Sequence, residues 1–339
     1  MARKGGWRRR GSKSRGFRYY DSKGREIADA AKLERIEKLR IPPAWRDVWI
    51  SPRSTAKLQA TGLDRAGRRQ YLYHPAYRAQ QEEAKYAKLV RFGEKLPEIR
   101  TVMAKHMDED SLTRDRVCAI ALRLINLGWF RPGSERYAKE SRTYGITTLR
   151  KGHVNVRGSK IALSFRAKHK VWVRTALVDA ELASAIKELL ALPGGRRLFR
   201  YRIEGELHNL TERHLNEYIQ THMGPEFTAK DFRTWGGTLL AAIGLAERGP
   251  AESESHGKRV VTAVCRGVAD RLGNTPAVCR ASYISPAVID QYLDGRTIDD
   301  FRPRHLRVVS ARDTGLDLEE QALLSLLRSW RIRQAREAA

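Results

Sequence analysis

Tyrosine, arginine, lysine and histidine side chains are the candidates for chemistry in this chain, which contains 65 lysines and arginines, 12 tyrosines and 9 histidines. A tyrosine oxygen can attack a phosphorus atom while cations neutralise the charge that spreads over the equatorial oxygens. The ordinary tyrosine pKa of about 10 leaves about 0.1% ionised at pH 7, so arginines or a general base must assist. The composition therefore allows phosphoryl transfer by side chains alone, and it equally allows passive binding of a polyanion.

Motifs for several other chemistries are absent from the sequence. It contains no GxGxxG dinucleotide loop, no GxxxxGK[ST] phosphate loop, no HExxH motif and no CxxC pair. The carboxylate cluster at residues 108–110 is explained as the start of a helix, where acidic groups are favourable. Four histidines have no partner at metal-ligand spacing and are expected to be structural or exposed. These are His106, His208, His214 and His222. We therefore predict neither a metal nor a cofactor.

An excess of positive charge dominates the composition. The formal charge is +26 over 339 residues, and 31% of the residues are charged, where globular domains average about 25% with balanced signs. The 41% of hydrophobic residues suffices for packed cores, and no apolar run approaches the roughly 20 residues of a membrane span. Three widely spaced cysteines suggest neither a disulfide framework nor a zinc site. We predict a soluble intracellular protein that acts on a polyanion and has no membrane partner.

Three regions of the chain differ in pattern. Residues 1–16 are predicted to form a flexible basic arm, because the first eighteen residues hold eight lysines and arginines and no acid. Residues 17–80 are predicted to form a small β-rich domain with a hairpin around the turn at residues 64–67. Residues 81–339 are predicted to form a mainly helical domain with a three-stranded antiparallel sheet at residues 154–173. The expected fold class is therefore α+β.

Six segments, in this order, carry a resemblance to a known family. They are IPPAW at residues 41–45, GRRQYLYH at 67–74, WFRPGSERY at 129–137, FRAK at 165–168, KDFRTW at 230–235, and NTP followed by SYI between residues 274 and 284. The chain thus resembles, from about residue 17 to residue 295, the small poxvirus-like type IB DNA topoisomerases of the bacterial branch. The resemblance implies that residues 17–80 bind DNA, that residues 81–339 are catalytic, and that the two form a clamp around duplex DNA.

The resemblance also implies roles for five residues. Tyr283 is similar to the nucleophile that becomes linked to a 3′ phosphate and releases a 5′ hydroxyl. Arg131 and Arg233 resemble the pair that clamps the non-bridging oxygens, and Lys168, at a predicted hairpin tip, resembles the acid that protonates the departing 5′ oxygen. Asn274 lies where many relatives have histidine. Its amide can donate a hydrogen bond to a phosphate oxygen but cannot act as an imidazolium, so we expect a positioning role.

Seven further residues resemble DNA contacts of the family. They are Arg68, Gln70, Tyr71 and Tyr73 in the first domain, and Arg136, Tyr137 and Lys230 near the cleavage site. Strand alternation predicts that the two tyrosines of the first group share one face.

Taken singly, each catalytic candidate also has an ordinary structural explanation. Arg131 could cap the helix before it, and Lys168 could simply be solvated in a turn. Arg233 lies beside an apolar helical stripe, so a surface salt bridge is its default role. Tyr283 could belong to a core. We favour the functional interpretation because the segments occur together, in order, in a strongly basic chain.

The function that the resemblance implies is relaxation of supercoiled DNA by cleavage of one strand, rotation and religation, without ATP or metal. The enzyme is expected to be monomeric and cytoplasmic, associated with the nucleoid. Two alternatives remain open. A tyrosine recombinase uses similar chemistry on paired sites, and an architectural DNA-binding protein would have no catalysis at all.

Overall fold

The computed structural model describes residues 5–302 and 315–337, and it divides into two compact units. The first unit comprises Met1–Tyr86 and the second Ala87–Ala339. The boundary lies inside a helix, α2 (Pro75–Met107), whereas the sequence predicted a domain boundary between residues 80 and 81.

The first unit is built on one five-stranded sheet and a short helix. The sheet has the order β2-β1-β3-β4-β5, and every neighbouring pair is antiparallel. The strands are β1 (Trp7–Ser12), β2 (Gly16–Tyr20), β3 (Arg46–Ile50), β4 (Leu58–Leu63) and β5 (Arg69–Tyr73), and the helix is α1 (Ala30–Lys38). The hairpin predicted around residues 64–67 joins β4 to the edge strand β5.

The prediction of a flexible basic arm is wrong for residues 7–16, because this segment holds strand β1 and the turn to β2. Trp7 is buried in the core of the unit. The Arg9 guanidinium donates to the Trp45 carbonyl at 2.7 Å and lies 4.2 Å from the centre of the Phe17 ring. The high density of positive charge suggested that this segment is disordered. In the structure, Arg9 is instead held by a backbone carbonyl and an aromatic ring. Residues 1–4 of the predicted arm lie outside the described residues.

The second unit is mainly helical and contains two small sheets. Its helices beyond α2 are α3 (Arg114–Gly128), α4 (Glu135–Glu140), α5 (Ala180–Ala191), α6 (Glu212–Met223), α7 (Ala229–Ala246), α8 (Glu254–Leu272), α9 (Pro276–Ser282), α10 (Pro286–Leu293) and α11 (Leu318–Glu337). The predicted antiparallel sheet is formed by β6 (Val154–Arg157), β7 (Lys160–Arg166) and β8 (Trp172–Val178), while β9 (Arg200–Ile203) pairs with β10 (Glu206–Asn209). The mixture of helix and sheet agrees with the predicted α+β class.

Helix α7 lies in the core of the second unit and fixes one wall of the candidate site. Its Phe232 ring packs edge-on against Phe92 at a centroid distance of 4.9 Å. Its Trp235 is buried, and the indole Nε1 donates to Glu320 Oε1 at 3.1 Å. Because these anchors come from α2 and α11, the side chains between them on α7 have little freedom to move.

Across the described ranges, no helix combines the length and the apolarity that a bilayer crossing requires.

Candidate active site

A cleft of about 220 Å³ opens in the second unit. Its walls come from the end of α3, from α7, from the turn after α8 and from the β7–β8 hairpin. Its lining residues include Trp129, Arg131, Ala167, Trp172, Arg233 and Gly273. The cleft therefore contains both predicted arginines and the residue that precedes the predicted lysine.

The end of α3 sets the position of Arg131. Trp129 terminates the helix in the left-handed conformation, with φ 52°, and its N–H donates to the Ile125 carbonyl. The indole ring lies against α7 at Gly236, where any Cβ atom would collide with it. A glycine is therefore required at this point of α7 so that the tryptophan can turn the chain into the cleft.

Arg233 is 3% exposed, so the surface salt bridge that its pattern suggested is not formed. Its Nη1 donates to the Trp129 carbonyl, and its Nη2 donates to the Leu272 carbonyl at 2.9 Å. The guanidinium carbon lies 5.1 Å from the centre of the Tyr283 ring. The side chain thus ties the ends of two helices together and presents its charge to the tyrosine.

Arg131 reaches the same turn from the other side. Its Nη2 donates to the Gly273 carbonyl at 3.0 Å and to Asn274 Oδ1. Neither acceptor belongs to α3, so Arg131 does not cap that helix within the described part of the chain, and the carbonyl of the cap residue Trp129 accepts from Arg233. One turn, at residues 272–274, therefore supplies acceptors to both guanidinium groups.

The two arginines form an unneutralised pair of positive charges. Burial lowers the pKa of Arg131 to about 10, and repulsion by Arg233 adds to this effect. Burial also lowers the pKa of Arg233, an effect opposed by the nearby Tyr283 hydroxyl. Within the described part of the chain, no carboxylate forms an ion pair with either arginine, although Asp270 lines the cleft. Because charges that are buried or half-buried without a counter-ion are costly, this arrangement favours an anion in the cleft.

Tyr283 is half-buried and follows the last turn of α9. Its backbone carbonyl accepts a hydrogen bond from Thr238 Oγ1 at 3.2 Å. A Cβ atom at Gly237 would lie 2.7 Å from the same carbonyl oxygen, so α7 approaches the tyrosine backbone as closely as a glycine permits. Gly237 and Thr238 are far from Tyr283 in the sequence, and only the folded structure brings them into contact with it.

The Asn274 amide is placed both to orient Arg131 and to donate a hydrogen bond to a phosphate. Its Oδ1 orients Arg131, and its buried Nδ2 meets no oxygen or nitrogen acceptor among the described residues, where the Cys279 sulfur, a weak acceptor, is its only neighbour of that kind. A buried amide donor that has only a weak sulfur acceptor is rare and calls for an explanation. A phosphate oxygen in the cleft would supply the missing acceptor, which supports the positioning role expected for this residue.

Lys168 lies at the tip of the β7–β8 hairpin, in a short 3₁₀ turn (Lys168–Lys170), and it is exposed. The two residues after it adopt left-handed backbone conformations, with φ 63° at His169 and 61° at Lys170. The structure therefore places Lys168 at the rim, next to the cleft residue Ala167. In the described residues, no hydrogen bond or ion pair joins it to Tyr283 or to the arginines.

The predicted DNA contacts of the first unit do not all share one face. Tyr71 and Tyr73 are 48% and 42% exposed and stack at a centroid distance of 6.2 Å, as alternation predicted. Gln70 alternates with them and donates to Asp64 Oδ2 at 2.9 Å, as does Arg68 Nε. These two side chains shape the hairpin turn in this structure. Sequence reasoning overlooked Arg69, which shares strand parity with the two tyrosines.

The remaining predicted DNA contacts are exposed in the second unit. Arg136 forms an ion pair with Glu140 at 3.0 Å, Tyr137 is 42% exposed, and Lys230 lies exposed in the first turn of α7.

Sequence reasoning also overlooked Trp172, a cleft-wall residue that is 53% exposed. The guanidinium carbons of Arg166 and Arg174 lie 5.7 Å and 5.3 Å from its ring. The alternation of Trp172 and Arg174 on one strand could have revealed it.

Comparison with known proteins defines the family. The model of the eukaryotic DNA topoisomerase I catalytic core matches residues 74–297, and that of the bacterial DNA topoisomerase IB N-terminal domain matches residues 16–64. The chain is 33% identical to DNA topoisomerase 1B of Acanthamoeba polyphaga mimivirus over 285 residues, which are 81% of this chain and 84% of that protein. It is 23% identical to DNA topoisomerase 1B of Vaccinia virus (strain Copenhagen) over 278 residues, 80% of this chain and 85% of that protein.

The chain therefore belongs to the type IB DNA topoisomerases, a family of isomerases. The family expected from the six sequence segments is confirmed.

Proposed function

We propose that this chain relaxes supercoiled duplex DNA by transient cleavage of one strand. The observation that carries the proposal is a pair of arginines, Arg233 buried and Arg131 half-buried, that have no carboxylate partner among the described residues, and one of them faces the ring of Tyr283. A passive DNA-binding protein has no need to take two unneutralised guanidinium groups partly or wholly out of water beside a tyrosine. A phosphodiester in the cleft would neutralise them and would lie next to a nucleophile.

In the proposed reaction, Tyr283 loses its proton to water and its phenolic oxygen attacks phosphorus. The new bond links the tyrosine to the 3′ phosphate while the bond from phosphorus to the 5′ oxygen breaks. Lys168 gives that oxygen a proton as the hairpin tip approaches the DNA. Arg131 and Arg233 stabilise the charge on the non-bridging oxygens, which is largest in the transition state.

Religation is the same sequence in reverse. The 5′ hydroxyl attacks the phosphotyrosine, Lys168 takes the proton back and the phenolic oxygen leaves. One phosphodiester is exchanged for another, so the cycle needs no energy source such as ATP. Between the two steps the free 5′ end rotates, and the supercoils are released.

We further propose that the two units enclose the duplex as a clamp and that one copy of the chain suffices. Tyr71, Tyr73 and Arg69 offer an exposed aromatic and basic strand face in the first unit. Lys230, Arg136 and Tyr137 offer exposed contacts in the second unit. The formal charge of +26 favours wrapping of a polyanion.

The direct test is incubation of the full chain with a negatively supercoiled plasmid in EDTA without ATP. We expect a ladder of topoisomers that ends in relaxed circles, read on an agarose gel. An architectural protein would leave the linking number unchanged after deproteinisation. A tyrosine recombinase would act on paired sites and exchange strands. Relaxation of a plasmid by monomeric protein, without recombinant products, would therefore distinguish a topoisomerase from a recombinase.

Replacement of Asn274 by alanine removes both the acceptor that orients Arg131 and the Nδ2 donor, which has no oxygen or nitrogen acceptor among the described residues. A hydrogen bond to a charged group contributes about 1.5–3 kcal/mol, so we expect cleavage to slow by about 10- to 100-fold. Single-turnover cleavage of a labelled duplex measures the rate. DNA affinity should change little, and equal losses of rate and affinity would contradict a role in positioning the phosphate.

A further inference from the structure

Three helices of the second unit bring two histidines and a carboxylate together away from the cleft. His106 lies near the end of α2, Asp115 in the first turn of α3 and His222 near the end of α6. The potential ligand atoms of the three side chains all lie within 4.8 Å of one another, and each side chain is half-buried. In the described ranges, this is the only such group of three histidine, cysteine or acidic residues.

The histidine rings are held in place by a shared aromatic neighbour. His106 Nδ1 forms a hydrogen bond with the hydroxyl of the buried Tyr218 at 2.8 Å, which leaves Nε2 of that ring for another partner. The His222 ring packs 4.7 Å from Tyr218 and 5.4 Å from His106, centre to centre. An orienting hydrogen bond to the second ring nitrogen is the usual companion of a metal-binding histidine.

We propose that His106, Asp115 and His222 bind one divalent transition-metal ion of the zinc type. Two imidazoles and one carboxylate are a ligand set that zinc accepts, with bonds of about 2.0–2.2 Å. The ligand atoms of a tetrahedral site lie about 3.3 Å apart, so small side-chain rotations must draw the three atoms together on binding. Glu109 Oε1 lies 4.0 Å from His106 Nε2 but outside the group of three, so either Glu109 would have to move closer or a water would supply the fourth ligand.

The proposed ion would join the three helices and would take no part in the cleavage chemistry. Asp115 and the residues that lead to Arg131 lie at opposite ends of α3, about 20 Å apart along the helix axis. The ion should therefore stabilise the second unit through binding to its folded state. This inference stands independently of the proposed function, and relaxation in EDTA is expected to continue without the ion.

The test is titration of the full, untagged, EDTA-stripped chain with ZnCl₂ by isothermal calorimetry, together with thermal unfolding with and without Zn²⁺. We expect saturable binding of one Zn²⁺ and a rise in the unfolding temperature. His106→Ala and His222→Ala should each weaken binding at least tenfold, and Tyr218→Phe, which removes only the orienting hydroxyl, should weaken it by about 10- to 100-fold. Titration with CoCl₂ should give the visible absorption of a tetrahedral Co²⁺ site.

His208→Ala is the matched control, because that histidine is exposed and lies outside the cluster. It should bind Zn²⁺ like the unaltered chain. Circular dichroism without metal shows whether each variant folds. If a histidine variant does not fold, the nearly isosteric Asp115→Asn is tested in its place. The proposal is overturned if the unaltered chain shows no saturable binding, or if the cluster variants and the control bind equally well. In either case the histidines serve only as an aromatic contact between helices.

Discussion

Replacement of Tyr283 by phenylalanine is expected to abolish DNA relaxation and covalent attachment to DNA while the chain still folds and binds the duplex. The substitution removes only the phenolic oxygen that would attack phosphorus. The ring remains in place over Arg233, and the backbone carbonyl still accepts from Thr238. With Tyr283 as the nucleophile, no covalent intermediate can form in this variant, so the loss should be complete rather than partial.

The measurement combines two assays on the same preparation. Denaturation with SDS during the reaction traps a protein–DNA adduct on a labelled duplex, and a plasmid assay reports relaxation. Tyr292→Phe is the matched control, because Tyr292 is buried and its hydroxyl has no hydrogen-bond partner among the described residues. The control should retain both activities. An adduct formed by Tyr283→Phe would assign the nucleophile to another residue and would refute the proposed mechanism.

The sequence was sufficient to predict the family, the α+β class, the hairpin between β4 and β5, and the β6–β8 sheet. Local signals explain this success. A short turn at residues 64–67 marks the β4–β5 hairpin, and alternation of apolar residues marks the β6–β8 sheet. Each of these patterns depends on residues that are close together in the chain, so one sequence contains the information.

The arrangement of the site could not be predicted from local patterns. Arg233 lies beside an apolar stripe, which suggested a surface position, yet carbonyls at the ends of α3 and α8 draw its side chain into the interior. Strand β1 was not predicted because its three arginines suggested a solvated basic segment, and Trp7 is its only large apolar residue. The cluster of His106, Asp115 and His222 depends on helices that are distant in sequence. In all three cases tertiary packing brings together partners that no spacing rule relates.

Replacement of Arg233 by alanine is expected to slow DNA cleavage by about 10³- to 10⁵-fold, the range found when a charge-stabilising arginine is removed from a phosphoryl-transfer site. The variant loses the positive charge that faces Tyr283. It also leaves the Trp129 and Leu272 carbonyls without their donor, which costs about 1–3 kcal/mol of folding free energy for each buried group. Arg233→Lys keeps a charge but cannot replace the planar fork that reaches both carbonyls, so we expect it to recover only part of the rate.

Arg200→Ala separates the catalytic loss from the structural loss. Arg200 is 5% exposed and, like Arg233, donates to two backbone carbonyls, those of Leu192 and Pro193, but it does not line the cleft. Both alanine variants should therefore lower the unfolding temperature, and only Arg233→Ala should lose the single-turnover cleavage rate at saturating DNA. If the two variants lose rate in proportion to their loss of stability, Arg233 is a structural arginine, and the anion site of the cleft would have to depend on Arg131 alone. If Arg233→Ala loses affinity but cleaves bound DNA at the normal rate, the guanidinium binds the phosphate equally in the ground state and in the transition state.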